Sequence, residues 1–101
     1  MSDDVPPQAL TPTQLDNVAA LFKVLGEPMR LRILQSVCHG PRCAGDIVAC
    51  TGATQPNVSK HLSLLVHAGI LGRRKAGRQV VYSLRDPLVT KLCEMVTSSL
   101  S

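Results

Sequence analysis

The chain has 101 residues, the length of one compact domain, and its formal net charge is only +4. Because 45% of the residues are apolar while no apolar run approaches the roughly 20 residues that span a bilayer, the composition excludes a disordered chain and a transmembrane helix. Since the N-terminus "MSDDVPPQAL" also lacks a secretory signal, we expect a cytoplasmic protein with no membrane partner, whose four cysteines are thiols, ligands or redox switches.

The first part of the chain predicts a tail followed by a helix. Residues 1–11 contain two Pro and two Asp and are typical of a flexible N-terminal tail, and residues 12–101 form the folded domain. Thr11 can cap a helix whose first position, Pro12, needs no amide partner. Apolar residues then recur at helical spacing until Gly26, which ends the helix.

Two further helices follow. The second begins at Pro28 and ends at "HGP", and it is expected to expose Arg30 and Arg32 while its other positions are mostly apolar. The third, "CAGDIVACT", is short and is closed by Gly52.

The fourth helix begins almost at once, with Thr54 as its N-cap and Gly69 as its C-terminal stop. Its predicted inward stripe consists of Val58, Leu62 and Leu65. The runs "ILGRR" and "RQVVYSL", separated by "KAG", predict a β-hairpin, and a last helix begins at Pro87.

The order of these elements predicts the fold. Two short helices joined by a glycine-containing turn form a helix-turn-helix, and the basic hairpin that follows is a wing. The predicted fold class is mainly α with a small β-hairpin wing, a winged helix-turn-helix with the order α-α-α-α-β-β-α.

Charge is distributed unevenly along the chain. Residues 54–85, which we call the acid-free segment, hold six of the eleven basic residues and none of the seven acidic ones. A local basic surface is typical of proteins that bind a polyanion, and on a helix-turn-helix with a wing it predicts double-stranded DNA. A solvated basic face without such a partner is the simpler alternative for the charge alone.

The predicted DNA-binding side chains lie on the outer face of the fourth helix and beside the hairpin turn. Asn and Gln side chains pair with adenine in the major groove, and Ser and Lys contact several bases or phosphate. Basic side chains on a wing can reach the DNA backbone or the minor groove. The alternative for Gln55 and Asn57 is a role in starting the helix. The full predicted set is Thr54, Gln55, Asn57, Ser59, Lys60, His61, Arg73, Arg74, Lys75 and Arg78.

The span from about Leu21 to Leu84 resembles the ArsR/SmtB family of bacterial metal- and stress-sensing repressors. The resemblance is carried by "LFKVLGEPMRLRILQSV", by "GDIVACTGATQPNVSKHLSLLVHAGIL" and by the wing "RRKAGRQVVYSL", with correct spacing throughout. It implies a winged-helix homodimer that uses its first and last helices as the interface and releases DNA when an inducer binds.

The final helix agrees with such a dimer, because its apolar residues cover more than one face and therefore need partners on two sides. The dimer's two-fold axis predicts an inverted repeat in the DNA, with half-sites about one helical turn apart. The predicted interface residues are Leu15, Val18, Leu88, Leu92, Met95 and Val96.

Two sensor patterns of the family can be compared with this chain. "PRCAGDI" matches one of them at Cys43, the position of the first thiol, while Gly45 stands at the position of the second. In the other pattern Asp86 is retained, but Leu88 and Ser99 occupy the histidine positions, so we expect no zinc site on the last helix.

The cysteines are the remaining sensor candidates. Cys38 and Cys43 are separated only by "HGPR", so their sulfurs are expected to lie near enough for a disulfide or a shared thiophilic metal or metalloid ion. The alternative is that both are ordinary residues beside a turn and that no ion is bound. Cys50 and Cys93 are expected to be buried structural residues.

The predicted function is a sequence-specific, homodimeric DNA-binding repressor that a thiol-directed signal releases from its operator. The signal is a metal or metalloid ion, an oxidant or a reactive sulfur compound. Two alternatives stay open: a regulator whose cysteines are structural and whose inducer is unrelated to thiols, and a protein-interaction winged helix without DNA binding. We expect no enzymatic activity, since no activated nucleophile with a base is visible.

Overall fold

The computed structural model describes residues 9–100, so most of the predicted N-terminal tail lies outside the described residues. The helices in this part of the chain are all too short or too polar to cross a membrane. The predicted winged helix-turn-helix is confirmed, with one additional short strand. Its elements are α1 (Pro12–Leu25), α2 (Pro28–Val37), β1 (Arg42–Cys43), α3 (Ala44–Thr51), α4 (Gln55–His67), β2 (Leu71–Ala76), β3 (Gln79–Leu84) and α5 (Pro87–Leu100).

The core is built from aliphatic side chains that recur every three or four residues on the helices. On α4 these are the three predicted inward residues, so that prediction is confirmed. Helix α1 contributes no fully buried residue and packs on the outside of the core. The core residues are all at most 2% exposed: Ile33, Leu34, Val37, Ile47, Val58, Leu62, Leu65, Ile70, Leu71 and Val89.

Side-chain caps determine where three helices begin. Thr11 and Gln14 form a reciprocal capping box at α1, with distances of 3.1 Å and 2.8 Å. Glu27 caps α2, which the sequence analysis missed, and Thr54 caps α4 as predicted. Each cap satisfies amide groups that have no partner within the helix and contributes about 1 kcal/mol.

Arg30 is not exposed as predicted. It stands on the inward side of α2, three positions before the fully buried Ile33, and is itself half-buried. Its guanidinium donates a hydrogen bond to the carbonyl of Val24 in α1, with an Nη1–O distance of 3.1 Å. Arg32 is exposed, as predicted.

The turn between α3 and α4 depends on Gly52. Its φ of 71° lies in the left-handed region, which is costly for a residue with a Cβ atom. The Gly52 amide donates to the carbonyl of Val48 at 2.9 Å and so closes α3. Only Ala53 separates Gly52 from the cap of α4, so the chain passes from one helix to the next within a very short turn.

The wing is a three-stranded antiparallel sheet in the order β1-β3-β2. The sequence analysis identified β2 and β3 but missed β1, because two residues are too few to show a strand pattern. In β1, Arg42 pairs with Tyr82 and Cys43 pairs with Val81. The start of α3 is therefore tied to the central strand of the wing.

Two tight connections orient the wing. At the end of α4 the Gly69 amide donates to the Val66 carbonyl and the Ile70 amide to the Leu65 carbonyl, both at 3.0 Å, which is a Schellman motif.

The hairpin turn itself consists of Gly77, with a φ of 65°, and Arg78. The predicted turn "KAG" is therefore wrong by two residues, because its first two residues still belong to β2.

Candidate nucleic-acid interface

The first turns of α4 expose a polar face. Since the inward stripe of this helix is buried, the residues between its members point away from the core. The Thr54 hydroxyl is engaged as the helix cap at 3.4 Å from the Asn57 amide, which leaves the side-chain amides of Gln55 and Asn57 as the groups suited to a base edge. Five of the six predicted residues on this helix are exposed: Thr54, Gln55, Asn57, Ser59 and Lys60.

The four predicted cations of the wing are exposed as well. Arg73, Arg74 and Lys75 are consecutive in β2, so their side chains alternate between the two faces of the hairpin, and Arg78 lies in the turn. Within residues 9–100 none of the four has a carboxylate partner. Their positive charge is therefore not neutralised by the described part of the chain.

His61 differs from the other predicted DNA-binding residues because its side chain is only 12% exposed. Its Nδ1 accepts a hydrogen bond from Arg30 Nε at 3.4 Å, and its Nε2 lies 3.7 Å from a carboxylate oxygen of Glu27. Burial alone would raise the pKa of Glu27, but hydrogen bonds from the Met29 and Arg30 amides and the charges of His61 and Arg30 outweigh it and lower that pKa.

The Cys93 thiol in α5 lies close enough to Cys38 to interact with it, and the pairing of Cys38 with Cys43 stays a prediction. Cys38 is the C-cap of α2, and Cys43 lies in β1 immediately before α3. Burial raises the pKa of Cys93, and the adjacent Cys38 raises it further through its charge and its hydrogen bond. Both effects favour the protonated form of Cys93.

The two remaining expectations for the cysteines had different outcomes. The prediction that Cys50 is buried is wrong, because this residue is exposed near the end of α3. Cys93 is half-buried and packs against the core. Over the described range, no group of three or more His, Cys, Asp or Glu residues is arranged to hold a metal ion.

Both thiols of the Cys38–Cys93 pair open into an apolar groove of about 590 Å³ between α1, α2 and α5. We call it the thiol groove. Phe22 and Leu25 line it from α1, and Leu92 and Val96 line it from α5 beside Cys93. The two cysteines therefore border the same groove.

The predicted dimer residues lie on a surface that the single chain leaves largely uncovered. Helix α5 buries Val89 at 1% exposure while exposing apolar side chains on another side, as the sequence pattern indicated. An exposed apolar surface of this kind is typical of interaction sites. Val18 and Leu92 are half-buried, and the exposed fractions of the others are 54% for Leu15, 49% for Leu88, 65% for Met95 and 53% for Val96.

Sequence reasoning missed the contacts of Arg30, His61 and Cys93. Each of these residues stands three or four positions from a buried residue of its own helix, so the spacing that identified the core also places them on an inward face. Because these side chains are polar, or small in the case of cysteine, the apolar spacing pattern did not include them. Their partners on other helices have no signal in a single sequence.

Comparison with known proteins agrees with this geometry. The model of the family "Bacterial regulatory protein, arsR family" matches residues 27–72. The chain is 40% identical over 80 residues to the "Probable mercury resistance operon repressor" of Streptomyces lividans, covering 79% of this chain but only 64% of that protein. It is also 40% identical over 80 residues to the "HTH-type transcriptional regulator CmtR" of Mycobacterium bovis, covering 78% of this chain and 68% of that one.

A solved structure from Mycobacterium bovis is similar over the whole domain. It is the solution structure of a homodimeric winged helix-turn-helix DNA-binding domain of a possible ArsR-family transcriptional regulator. It shares 26% sequence identity with this chain at a TM-score of 0.77, and the match covers 91% of this chain and 88% of that one. The fold and the sequence matches together show that this chain belongs to the arsR family of bacterial regulatory proteins, a family of transcriptional regulators rather than enzymes.

Proposed function

We propose that this protein is a homodimeric transcriptional repressor that binds double-stranded DNA through α4 and the wing. The observation that carries the proposal is the exposure of the acid-free segment: Gln55, Asn57, Lys60 and the four wing cations are exposed to solvent. Phosphate contacts supply affinity while contacts to base edges supply specificity. The identity with a protein named as an operon repressor supports repression as the outcome of binding.

In this proposal the two parts of the surface have different tasks. Gln55 and Asn57 enter the major groove and pair with base edges, for which their side-chain amides provide both a donor and an acceptor. Lys60 and the wing cations contact phosphate groups beside the groove. A two-fold dimer repeats this arrangement, so the favoured operator is an inverted repeat whose half-sites lie about one DNA turn apart.

The division of tasks is testable by substitution. Asn57→Ala is expected to weaken binding to the preferred site by about 1–3 kcal/mol and to relax its sequence preference. Arg74→Ala is expected to weaken binding to all sequences alike and to lower the slope of log affinity against log salt by about 0.9. Fluorescence anisotropy over a salt series measures both effects, on a duplex that the wild-type protein has selected from a random library and on a random duplex.

Lys91→Ala serves as the control, because it removes one exposed cation from α5, outside the acid-free segment. Its salt slope should equal that of the wild type. If Arg74→Ala also keeps the wild-type slope, the wing does not contact phosphate. If the wild-type protein shows no salt-dependent binding to any duplex, the proposed function itself is wrong, and a protein-interaction winged helix becomes the better account.

We further propose that DNA release is controlled by thiols and that Cys38 and Cys93 are the responding pair. Their sulfurs are adjacent, and both line the thiol groove. We assign the first attack on the reagent to Cys38, because Cys93 keeps its proton to a higher pH than an ordinary thiol. A disulfide would link the end of α2 to α5, one of the two helices with the proposed dimer residues. A change in α5 would then alter the spacing of the two DNA-reading helices.

The oxidation is balanced with an organic disulfide as the oxidant. The Cys38 thiolate attacks one sulfur of this reagent, forms a mixed disulfide and releases one thiolate. Cys93 then gives up its proton and attacks the Cys38 sulfur, which expels the second thiolate. The two cysteines together lose two electrons and two protons, and the reagent gains them as two thiols. Alternatively, both thiolates bind one soft metal or metalloid ion, which suits a two-sulfur donor set.

The thiol proposal predicts a response that depends on two cysteines and not on a third. Oxidised glutathione should weaken wild-type binding to the selected duplex at least about tenfold, a coupling of ordinary size, and dithiothreitol should restore it. Cys38→Ser and Cys93→Ser should bind DNA but not respond, while Cys43→Ser should respond like the wild type. A parallel titration with arsenite or mercuric ion distinguishes ion binding from disulfide formation.

Mass spectrometry provides the matching chemical readout, since the disulfide removes two hydrogen atoms and links the peptides that contain the two cysteines. A response that Cys43→Ser abolishes and Cys93→Ser retains would restore Cys38 with Cys43 as the sensing pair. A response that all three variants retain would remove all three thiols from the sensor.

A further inference from the structure

Three polar side chains connect the recognition helix α4 to the two helices that precede it. Arg30, on the first turn of α2, donates from Nη1 to the Val24 carbonyl of α1 at 3.1 Å and from Nε to His61 Nδ1 of α4 at 3.4 Å. The Glu27 carboxylate caps α2 and lies 3.7 Å from His61 Nε2. Arg30 therefore contacts α1 with one nitrogen and α4 with another.

These contacts determine the state of the histidine. The hydrogen bond from the guanidinium suits the tautomer in which Nδ1 holds no proton and Nε2, facing the carboxylate of Glu27, holds one. Both ring nitrogens thus have partners on α2. The imidazole plane, and with it the second turn of α4, is oriented by directional bonds as well as by packing.

The network occupies positions that apolar side chains could also fill. His61 belongs to the same inward face of α4 as Val58, Leu62 and Leu65, and Arg30 to the same inward face of α2 as Ile33. Replacing a buried polar or ionic pair with apolar side chains of similar volume is often neutral or stabilising, whereas directional partners restrict the arrangements that two elements can adopt. The network is therefore better suited to fixing the orientation of α4 than to stabilising the fold.

We propose that Arg30 and His61 are a positioning pair that holds the DNA-reading face of α4 in its binding orientation relative to α1 and α2. The proposal rests on the DNA-binding function proposed above and assigns no DNA contact to either residue. Asn57 stands one helical turn before His61, so a rotation or shift of α4 at His61 moves the side chain of Asn57 directly. Glu27 supports the pair by binding the second nitrogen of the imidazole ring.

Through Arg30, the same pair also links α1 to the DNA-reading face of α4. Helix α1 carries the proposed dimer residues Leu15 and Val18, and its Phe22 and Leu25 line the thiol groove. Arg30 holds the carbonyl of Val24, which lies between these two groove residues in sequence. A displacement of α1 at the dimer surface or in the groove therefore acts on the guanidinium that also holds His61.

The test separates positioning from folding and from direct DNA contact. His61→Leu and Arg30→Met remove the polar bonds while keeping side chains of similar volume, and the double variant completes a thermodynamic cycle. Each single variant should stay folded under the conditions of the binding assay, and the double variant, which leaves neither member of the pair without its partner, should unfold at the same denaturant concentration as the wild type or higher. Each single variant should lose about tenfold in affinity for the duplex selected by the wild-type protein, while binding to a random duplex and the salt slope stay unchanged.

Two further measurements decide the interpretation. His61→Gln, whose amide can accept from Arg30 and donate to Glu27, should recover most of the lost affinity. The double variant should lose no more than either single variant, because the two residues act as one unit. Additive losses, or a salt slope lowered by either single variant, would mean independent DNA contacts and would overturn the proposal. Variants that keep wild-type affinity for the selected duplex would also overturn it, while leaving the DNA-binding function intact.

Discussion

Leu62→Ala is expected to lower the free energy of unfolding by about 2–5 kcal/mol, the range for removing a buried leucine side chain and leaving a cavity. Leu62 is 1% exposed and lies at the centre of the inward stripe of α4, between Val58 and Leu65. A domain of this size has a total stability of roughly 5–15 kcal/mol. The substitution would therefore remove a large part of the stability of the domain and loosen the attachment of the recognition helix.

Leu10→Ala is the matched control, since it removes the same atoms from a residue that is 46% exposed and precedes the first helix. It should change the unfolding free energy by no more than about 0.5 kcal/mol. Urea denaturation followed by circular dichroism measures both variants, and equal slopes would show that both unfold from comparable states. If the two variants lose equal stability, Leu62 does not have the core role assigned to it.

Val96→Glu is expected to dissociate the proposed dimer without unfolding the subunit. In the single chain Val96 is 53% exposed, so a carboxylate there can remain in water. In a dimer that covers α5, the same charge would be buried without a partner, at a cost of about 3–5 kcal/mol. Such a cost corresponds to an increase in the dimer dissociation constant of more than about a hundredfold. Sedimentation equilibrium over a micromolar concentration series measures this constant.

Lys91→Glu provides the control for placing a negative charge on the same helix. Lys91 is exposed and outside the predicted interface, so its substitution should leave the association unchanged apart from a small, salt-sensitive effect. DNA binding by Val96→Glu should fall in parallel with its association, because a monomer contacts only one half-site. A wild-type protein that is monomeric at micromolar concentration would refute the dimer.

The features that the sequence predicted are those that depend on neighbouring residues. Caps such as Thr54, stops such as Gly52 and the inward stripe of α4 are local, so spacing and residue type are enough to identify them. The acid-free segment is contiguous as well, and its helix and hairpin therefore brought most of the predicted DNA-binding residues to an exposed surface. The overall fold followed from the order of these local signals.

The features that the sequence did not predict depend on contacts between distant residues. Arg30 and His61 are separated by 31 positions, and the interaction of Cys38 with Cys93 joins the end of α2 to the last helix. Strand β1 has two residues and exists because β3 offers it hydrogen bonds. In each case the partner belongs to another helix or strand, and the pattern of neighbouring residues does not identify it.

The position of β2 at the edge of the sheet has a consequence for solubility. With the order β1-β3-β2, one side of β2 presents backbone amides and carbonyls that no other strand within residues 9–100 covers. Such an edge can capture an extended segment of another chain and begin aggregation, and charged side chains are a common protection against it. Arg73, Arg74 and Lys75 make β2 a poor template for a further strand, because two such edges would repel each other. The three cations that we propose as DNA contacts would therefore also disfavour the pairing of β2 with another chain.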